Sequence, residues 1–361
     1  MEKRRVALFL PNLAGGGAER VALGIAGALV ERGCAVDLLL VRREGELLPL
    51  VPEGARVVEL GGGRIWRSLL PLVRYLRRER LAALHAFMWP LTVIAVVAQR
   101  LARVPARVVV SDHTTLSEHA SGRRERAAMR VSIGRVYPLA DARVAVSVGA
   151  ADDLAMLSGI DRQSIEVVPN PVDVSLAQRT SAEVEALWGV PAGERILTVG
   201  SLKETKDHRA LIRAFAKLPR PEARLMIVGD GALRSELEDV SRELGIEARV
   251  VWAGFRLDPW PFYASADLFV LASRLEGQPL VLLEAMGSGL PVVSTDCAHG
   301  PWEMLEGGRY GALVPVGDAE ALARAMDAAL GAPVDPELLR NRAEELAGAR
   351  SMERHLQLLL G

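Results

Sequence analysis

Short apolar runs alternate with amphipathic stretches along nearly the whole chain. Arg5–Leu10 reads as a strand, and Ala18–Arg32, closed by Gly33, as the helix that follows it. Further strands are predicted at Ala35–Val41, Arg56–Leu60, Leu81–Phe87, Arg107–Val110, Arg143–Val146 and Ile165–Val168, with helical stretches between them. Asn170-Pro171-Val172-Asp173 breaks the pattern, and a polar stretch runs on to Trp188. The cycle then restarts, with strands expected at Arg195–Val199, Ala223–Val228, Arg249–Trp252, Leu268–Leu271, Pro291–Ser294 and Ala312–Val314. His208–Leu218, Leu233–Leu244, Pro279–Met286 and Ala319–Leu330 read as helices among them. Apolar strands alternating with helices imply a parallel sheet covered on both faces. The expectation is an α/β chain of two Rossmann-like domains, joined near residues 170–190. Ligands of such sheets bind beyond the carboxyl ends of the strands, so two facing domains would hold a site in the cleft between them.

Composition adds limits. At 361 residues, half of them hydrophobic, the chain can bury two cores. Cys34 and Cys297 make no disulfide framework and read as free thiols in a reducing compartment. The charged residues 1–5 precede an apolar run of only Val6 to Leu10, and no apolar stretch approaches the roughly 20 residues a span needs. A cytoplasmic location is expected, with any membrane contact peripheral. The net charge of −1 hides an asymmetry. Residues 1–170 carry 24 Lys/Arg against 17 Asp/Glu, and residues 171–361 carry 20 against 28. A basic first half suits an anionic partner, or is simply a solvated Arg-rich surface.

The segment Glu276-Gly277-Gln278-Pro279-Leu280-Val281-Leu282-Leu283-Glu284 carries the most chemistry. Pro279 suits a first helical position, and the free amides of a helix start favour an anion. Glu284 falls on a helix apolar on nearly every side, where a carboxylate needs partners. Polyol hydroxyls would serve both carboxylates. Gly15-Gly16-Gly17-Ala18-Glu19-Arg20 follows the first strand. Its glycines either admit a ligand to the backbone or only make a turn. They are contiguous, and the second strand ends in Arg42-Arg43, which argues against a nicotinamide dinucleotide. His113, in Ser111-Asp112-His113-Thr114-Thr115, follows a strand end and is either functional or a structural hydrogen-bonding residue. Lys206, before a helix, could neutralise a phosphate or be a plain loop lysine. Gly229-Asp230-Gly231 reads as a turn, and Arg256 as a residue near a planar ligand or a surface cation.

Two basic stretches, Arg64–Arg80 and Arg123–Arg135, read as helices. Arg67, Arg74 and Arg78 are spaced to share a helical face. Such helices lie on anionic membranes or pack an apolar face on the sheet. Aromatic residues are 4% of the chain and no recognition module is visible, so nucleic acid is not an expected partner. No His/Cys cluster, no D-x-D at a strand end and no G-x-S-x-G elbow is seen; no metal and no cofactor is expected.

The E-x7-E segment, the turn Gly15–Gly17 with Glu19, the link Val168-Pro169-Asn170-Pro171-Val172-Asp173 and the Gly200…Lys206 loop come in one order. Together they resemble the retaining glycosyltransferases of family 4. Gly229-Asp230-Gly231, Ser294-Thr295-Asp296 and Gly311-Ala312-Leu313-Val314 extend the resemblance over nearly the whole chain. It implies the GT-B fold, two Rossmann-like domains facing each other across a deep cleft. Residues 1–170 would bind the acceptor and 171–361 the nucleotide sugar, with a C-terminal helix over about 345–361 crossing back onto the first domain. The resemblance also implies roles. Glu284 would hold a ribose diol, Glu276 the donor sugar's hydroxyls, and the backbone from Gln278 through Pro279 to Leu280 the distal phosphate. Lys206 would neutralise the leaving diphosphate, and His113 would stand by donor sugar and acceptor. Gly16 and Gly17 would line the first-domain wall, and backbone near Arg256 would read the base. Glu19, Arg123 and Arg124 are candidate acceptor contacts.

One departure stands out. Many members carry Arg where this chain has Ser201, which removes an expected diphosphate cation; Lys203 could substitute. The implied reaction moves a sugar, most simply from a UDP-sugar, to a glycan or polyprenyl-diphosphate-linked acceptor of bacterial surface-glycan synthesis. This would take place in the cytoplasm, at the inner face of the membrane. A nucleotide-sugar epimerase of the same fold and a non-catalytic sugar-nucleotide-binding partner are the alternatives.

Overall fold

The computed structural model describes residues 3–61, 63–119, 122–172, 181–189, 193–332 and 334–361. Asp173, the end of the predicted link, and most of the polar stretch after it lie outside the described residues. The chain forms two compact units. One comprises residues 1–171 with 349–361, and the other 172–348.

The first unit is built on seven strands: β1 (Arg5–Leu10), β2 (Ala35–Leu40), β3 (Ala55–Glu59), β4 (Ala83–Phe87), β5 (Arg107–Asp112), β6 (Ala142–Ala145) and β7 (Glu166–Val167). They run in the order β3-β2-β1-β4-β5-β6-β7, all parallel. Strands β1 and β4 are central, and every β4 residue is buried, which explains the apolar run Val6–Leu10 of β1 and the apolar residues around His85 in β4. Asp37 is the exception inside β2. It is fully buried and accepts hydrogen bonds from Arg5, Arg56 and Tyr75. Chain reversal after the first helix, Gly17–Glu31, uses Gly33 at φ +77°.

The C-terminal helix Ala349–Leu360 belongs to this unit. Ser351 donates to the Pro169 carbonyl, Arg354 Nη2 bonds Glu166 Oε2 at 2.8 Å, and the His355 ring lies 6.0 Å from that of His85.

Arg64–Arg80 is not one helix. Ile65–Ser68 is a 3-10 turn, and the α-helix starts only at Leu69 and ends at Arg78. Pro71 supplies the reason: it has no N–H to donate to the Arg67 carbonyl, so the α-helix does not extend back through Arg67. Arg67 therefore does not share one helical face with Arg74 and Arg78. Leu72, Val73, Tyr75 and Leu76 are buried, while Trp66 and Leu70 are 53% and 61% exposed.

The second unit has six parallel strands: β8 (Arg195–Val199), β9 (Arg224–Val228), β10 (Val250–Gly254), β11 (Leu268–Leu271), β13 (Val292–Thr295) and β15 (Ala312–Val314). Their order is β10-β9-β8-β11-β13-β15. A separate two-residue pair joins β12 (Leu275–Glu276) to β14 (Ala298–His299), with Glu276 opposite His299. Among the described residues no helix is long and apolar enough to cross a membrane.

Candidate active-site groups

In the second unit, the loops after β8, β9 and β11 pack on one another at the carboxyl edge of the sheet. Gly229 has φ +143°, and a Cβ there would collide with the Gly200 carbonyl. A Cβ on Gly231 would lie 2.5 Å from the Leu202 carbonyl oxygen. Leu202 N–H donates to the Asp230 carbonyl at 2.9 Å. The Gly229-Asp230-Gly231 turn is thus a backbone clamp on the loop that carries Lys206. Asp207, at φ +43°, ends that loop and caps the helix His208–Ala216 through Ala210 N–H. Its other oxygen accepts from Arg274 Nε at 2.7 Å, fastening the loop after β8 to the loop after β11.

This fastening brings Lys206 and Glu276 together. Lys206 Nζ donates to Glu276 Oε1 at 2.5 Å, and Ser273 Oγ donates to the same oxygen at 2.6 Å. The two charged side chains are 19% and 11% exposed. A pair so shielded gains more than a surface ion pair and also loses more hydration. Gly300 closes the far side: a Cβ there would lie 2.6 Å from the Gly277 carbonyl oxygen and 3.0 Å from Pro279 Cδ.

Pro279 is the N-cap of the helix Leu280–Gly287, not its first residue. No side chain caps this start; Leu282 N–H turns back to the Pro279 carbonyl at 3.1 Å, and the Leu280 and Val281 amides ahead of it stand at the positive end of the helix dipole. Gln278 beside it is buried. Glu284, 8% exposed, accepts a hydrogen bond from Tyr263 at 2.7 Å through Oε2. The two glutamates therefore have different surroundings, a lysine and a serine for one and a phenol for the other.

Ser201 and Lys203 are exposed. Arg256 donates from Nε to the Ala253 carbonyl at 3.0 Å and from Nη1 to Glu183 at 3.1 Å, with the Phe262 ring 5.9 Å away.

In the first unit, the Gly15–Gly17 turn and His113 follow β1 and β5, on the same edge of one parallel sheet. Gly15 has φ +88°, and Gly16, exposed, is the N-cap of Gly17–Glu31. Glu19 folds back so that its carboxylate occupies the space a Gly16 Cβ would need. Glu19 is buried at the helix start, where a carboxylate offsets the helix dipole. Arg123 and Arg124 are exposed at the start of Arg123–Val136.

His113 is buried. Its Nδ1 lies 2.9 Å from Asn170 Oδ1, its Nε2 3.1 Å from Ser111 Oγ, and its ring stacks on Phe87 at 5.4 Å. Burial first, and the neighbouring His355 second, push its pKa down to about 3, against the Asn170 hydrogen bond. Asp112 next to it is pushed up to about 7 by burial.

Four residues that bond the candidate groups escaped the sequence reading: Ser273, Tyr263, Asn170 and Ser111. The last two were seen only as parts of motifs. Ser273 had a usable signal, a hydroxyl three residues before Glu276 in a strand-end loop. Tyr263 reaches Glu284 from another helix, and nothing in their spacing announces it. Among the described residues no three His, Cys, Asp or Glu side chains gather as metal ligands.

Comparison with known proteins identifies the family and the fold. Residues 15–176 match the description "Glycosyltransferase Family 4", and residues 193–331 match "Glycosyl transferases group 1". The chain is 31% identical over 324 residues to the lipopolysaccharide core biosynthesis glycosyltransferase LpsE of Rhizobium meliloti, covering 86% of this chain and 85% of that one. It is 26% identical over 360 residues to a Campylobacter jejuni enzyme, covering 96% of this chain and 95% of that one. That enzyme is named N-acetylgalactosamine-N,N'-diacetylbacillosaminyl-diphospho-undecaprenol 4-alpha-N-acetylgalactosaminyltransferase. Among solved structures, Anabaena HepE in complex with UDP and glucose matches with a TM-score of 0.86 at 21% identity, covering 99% of each chain. The fold is that of the GT-B glycosyltransferases.

Proposed function

The chain belongs to glycosyltransferase family 4, and from that premise we propose that it is a retaining enzyme using a nucleotide-diphosphate sugar, with UDP as the nucleotide. The acceptor is a glycan or a polyprenyl-diphosphate-linked glycan of bacterial surface-polysaccharide or glycolipid synthesis. The observation that carries this reading is the Lys206–Glu276–Ser273 cluster beside an uncapped helix start. It offers a cation and free amides for a phosphate, and a carboxylate for sugar hydroxyls.

In this reading Lys206 and the amides near Leu280 hold the diphosphate, Glu276 orients the sugar and Glu284 takes the ribose diol. The bond from the anomeric carbon to phosphate breaks through an oxocarbenium-like state. The acceptor oxygen bonds to the same face, and its proton passes to the departing phosphate oxygen. Catalysis comes from charge stabilisation and orientation. The positive charge is supplied by the protein, so activity should survive EDTA. The support for the donor is HepE, solved with UDP and glucose, and for the acceptor the Campylobacter relative, named for a diphospho-undecaprenol substrate. The basic residues of the first unit, with exposed Trp66 and Leu70, suit peripheral contact with an anionic membrane on the cytoplasmic side.

Incubation with UDP- and GDP-sugars, with and without lipid-linked acceptor, tests the proposal. Transfer that needs the acceptor supports it. Donor epimerisation without acceptor, or binding without turnover, replaces it by the alternative classes. Glu276→Ala should lower transfer by about 100-fold or more, and near-normal turnover would refute the assignment of this site.

A further inference from the structure

His113 is one link in a buried chain of polar groups. His85 Nε2 lies 3.0 Å from Ser111 Oγ, Ser111 Oγ lies 3.1 Å from His113 Nε2, and His113 Nδ1 lies 2.9 Å from Asn170 Oδ1. Burial holds both rings neutral, with His113 lowered to about 3 and His85 well below its ordinary value. Each ring therefore carries one proton. Three arrangements make every contact a hydrogen bond, and the one in which both Nε2–H groups donate to Ser111 Oγ leaves the buried Ser111 hydroxyl proton without an acceptor, which leaves two.

In the first, His85 Nε2–H donates to Ser111, Ser111 O–H donates to His113 Nε2, and His113 Nδ1–H donates to Asn170 Oδ1. His85 Nδ1, which is buried and has no partner, is then a bare lone pair. In the second, every donor reverses, with the Asn170 amide turned so that its nitrogen donates. His85 Nδ1 then becomes a buried N–H without an acceptor. Orphaned buried N–H groups are much rarer than under-used acceptors. The first arrangement is favoured.

We propose that Asn170 is a positioning residue that locks His113 as the Nδ1–H tautomer, with the C-terminal helix holding Asn170 in place. That helix reaches the segment through Ser351, which donates to the Pro169 carbonyl. Arg354 bound to Glu166 secures the strand just before it. Both nitrogens of His113 are committed within the unit, so the residue carries no proton in the reaction. A substrate hydroxyl that bonds its ring nitrogens must displace Ser111 or Asn170. The catalytic consequence rests on the glycosyltransferase reading; the tautomer does not.

The test is the nitrogen spectrum of histidine-labelled protein, with His113 assigned by its loss in His113→Gln. The wild-type spectrum decides the tautomer and needs no other variant. A protonated Nδ1 and a bare Nε2 from pH 5.5 to 8 are expected. A protonated Nε2 with a bare Nδ1, or an imidazolium forming in that range, overturns the proposal. Asn170→Asp sets a carboxylate against the ring and should bring His113 titration up into this window, adding a limb to the pH–rate profile. Asn170→Ala should let the Nε2–H form appear and lower kcat by about 10- to 100-fold with little change in KM. Unchanged spectra in both variants would also overturn it. If no sugar transfer is detected at all, the function reading fails while the tautomer is still decided by the spectra.

Discussion

Replacing Asp112 by asparagine isolates the cost of one carboxyl group buried beside His113. Asp112 is 2% exposed. Its Oδ2 accepts from the Tyr137 hydroxyl at 2.8 Å, and that hydroxyl lies 2.7 Å from Thr92 Oγ1. Its Oδ1 is buried with no hydrogen-bond partner. Burial raises the pKa from 3.8 to about 7, outweighing Tyr137 and the Trp89 amide. The folded chain thus holds this proton more tightly than the unfolded chain, so stability rises as pH falls from about 7 towards 3.8 and is lowest above 7. The shift of roughly three units costs about 4 kcal/mol at pH 8 and about 1.7 kcal/mol at pH 5. The amide that Asp112→Asn introduces does not ionise, so wild type should lose about 2.5 kcal/mol relative to the variant between pH 5 and 8. The new amide leaves a buried donor near the Oδ1 position, a fixed cost of about 1–3 kcal/mol that cancels from the comparison. The buried histidines titrate in both proteins and cancel as well. Hydrogen exchange of the slowest β4 and β5 amides, corrected for intrinsic rates, reads the opening free energy of the first unit. A difference between the two proteins that stays constant with pH, or changes in the opposite sense, refutes the reasoning.

Tyr263→Phe removes the hydroxyl bound to Glu284 and should destabilise the second unit by about 1.5–3 kcal/mol, the scale of a buried hydrogen bond to a charge; an unchanged Tm in calorimetry contradicts it. Gly229→Ala meets both a positive φ and the Gly200 carbonyl, so it should cost more than about 1 kcal/mol in urea unfolding and displace the Lys206 loop. Wild-type stability would mean the loops are not clamped. Charge reversal of Arg74 and Arg78 should weaken binding to anionic liposomes by about 1 kcal/mol per residue at low salt. If the unaltered protein ignores such liposomes, the membrane contact is wrong.

Strand positions were legible because parallel strands buried on both faces leave apolar runs, uninterrupted at Leu268–Leu271 and broken only by Thr198 within Ile196–Val199; the predicted bounds Leu268–Leu271 and Arg195–Val199 match the observed ones. Helix starts were less so. Arg64–Arg80 has helical spacing throughout, yet the α-helix starts only at Leu69, because periodicity reports side-chain faces and not the backbone donor that Pro71 lacks. Pro279 shows the same limit by one residue. The site was legible as loops and charges at strand ends. Its pairings were not, because Lys206 meets Glu276 across 70 positions and His113 meets Asn170 across 57, distances over which only the fold sets contact.

The Lys206–Glu276 pair also bears on Ser201, which is exposed and offers no charge. With one lysine in the cluster, a diphosphate would have to compete with Glu276 for it. Glu276 can release Lys206 without becoming a buried carboxylate with no partner, because Ser273 donates to the same oxygen. A carboxylate left unpaired in so shielded a place would cost several kcal/mol, on the order of 3–5, and would oppose phosphate binding. The retained serine bond lowers that cost, and the helix-start amides near Leu280 add positive potential that needs no second side chain. In the proposed reaction the pair would work as an exchange: as the lysine turned to phosphate, Glu276 would be freed for sugar hydroxyls. Glu284, tied to Tyr263 on the neighbouring helix, takes no part in that exchange. Eight residues of sequence separate two carboxylates to which the fold has given different partners.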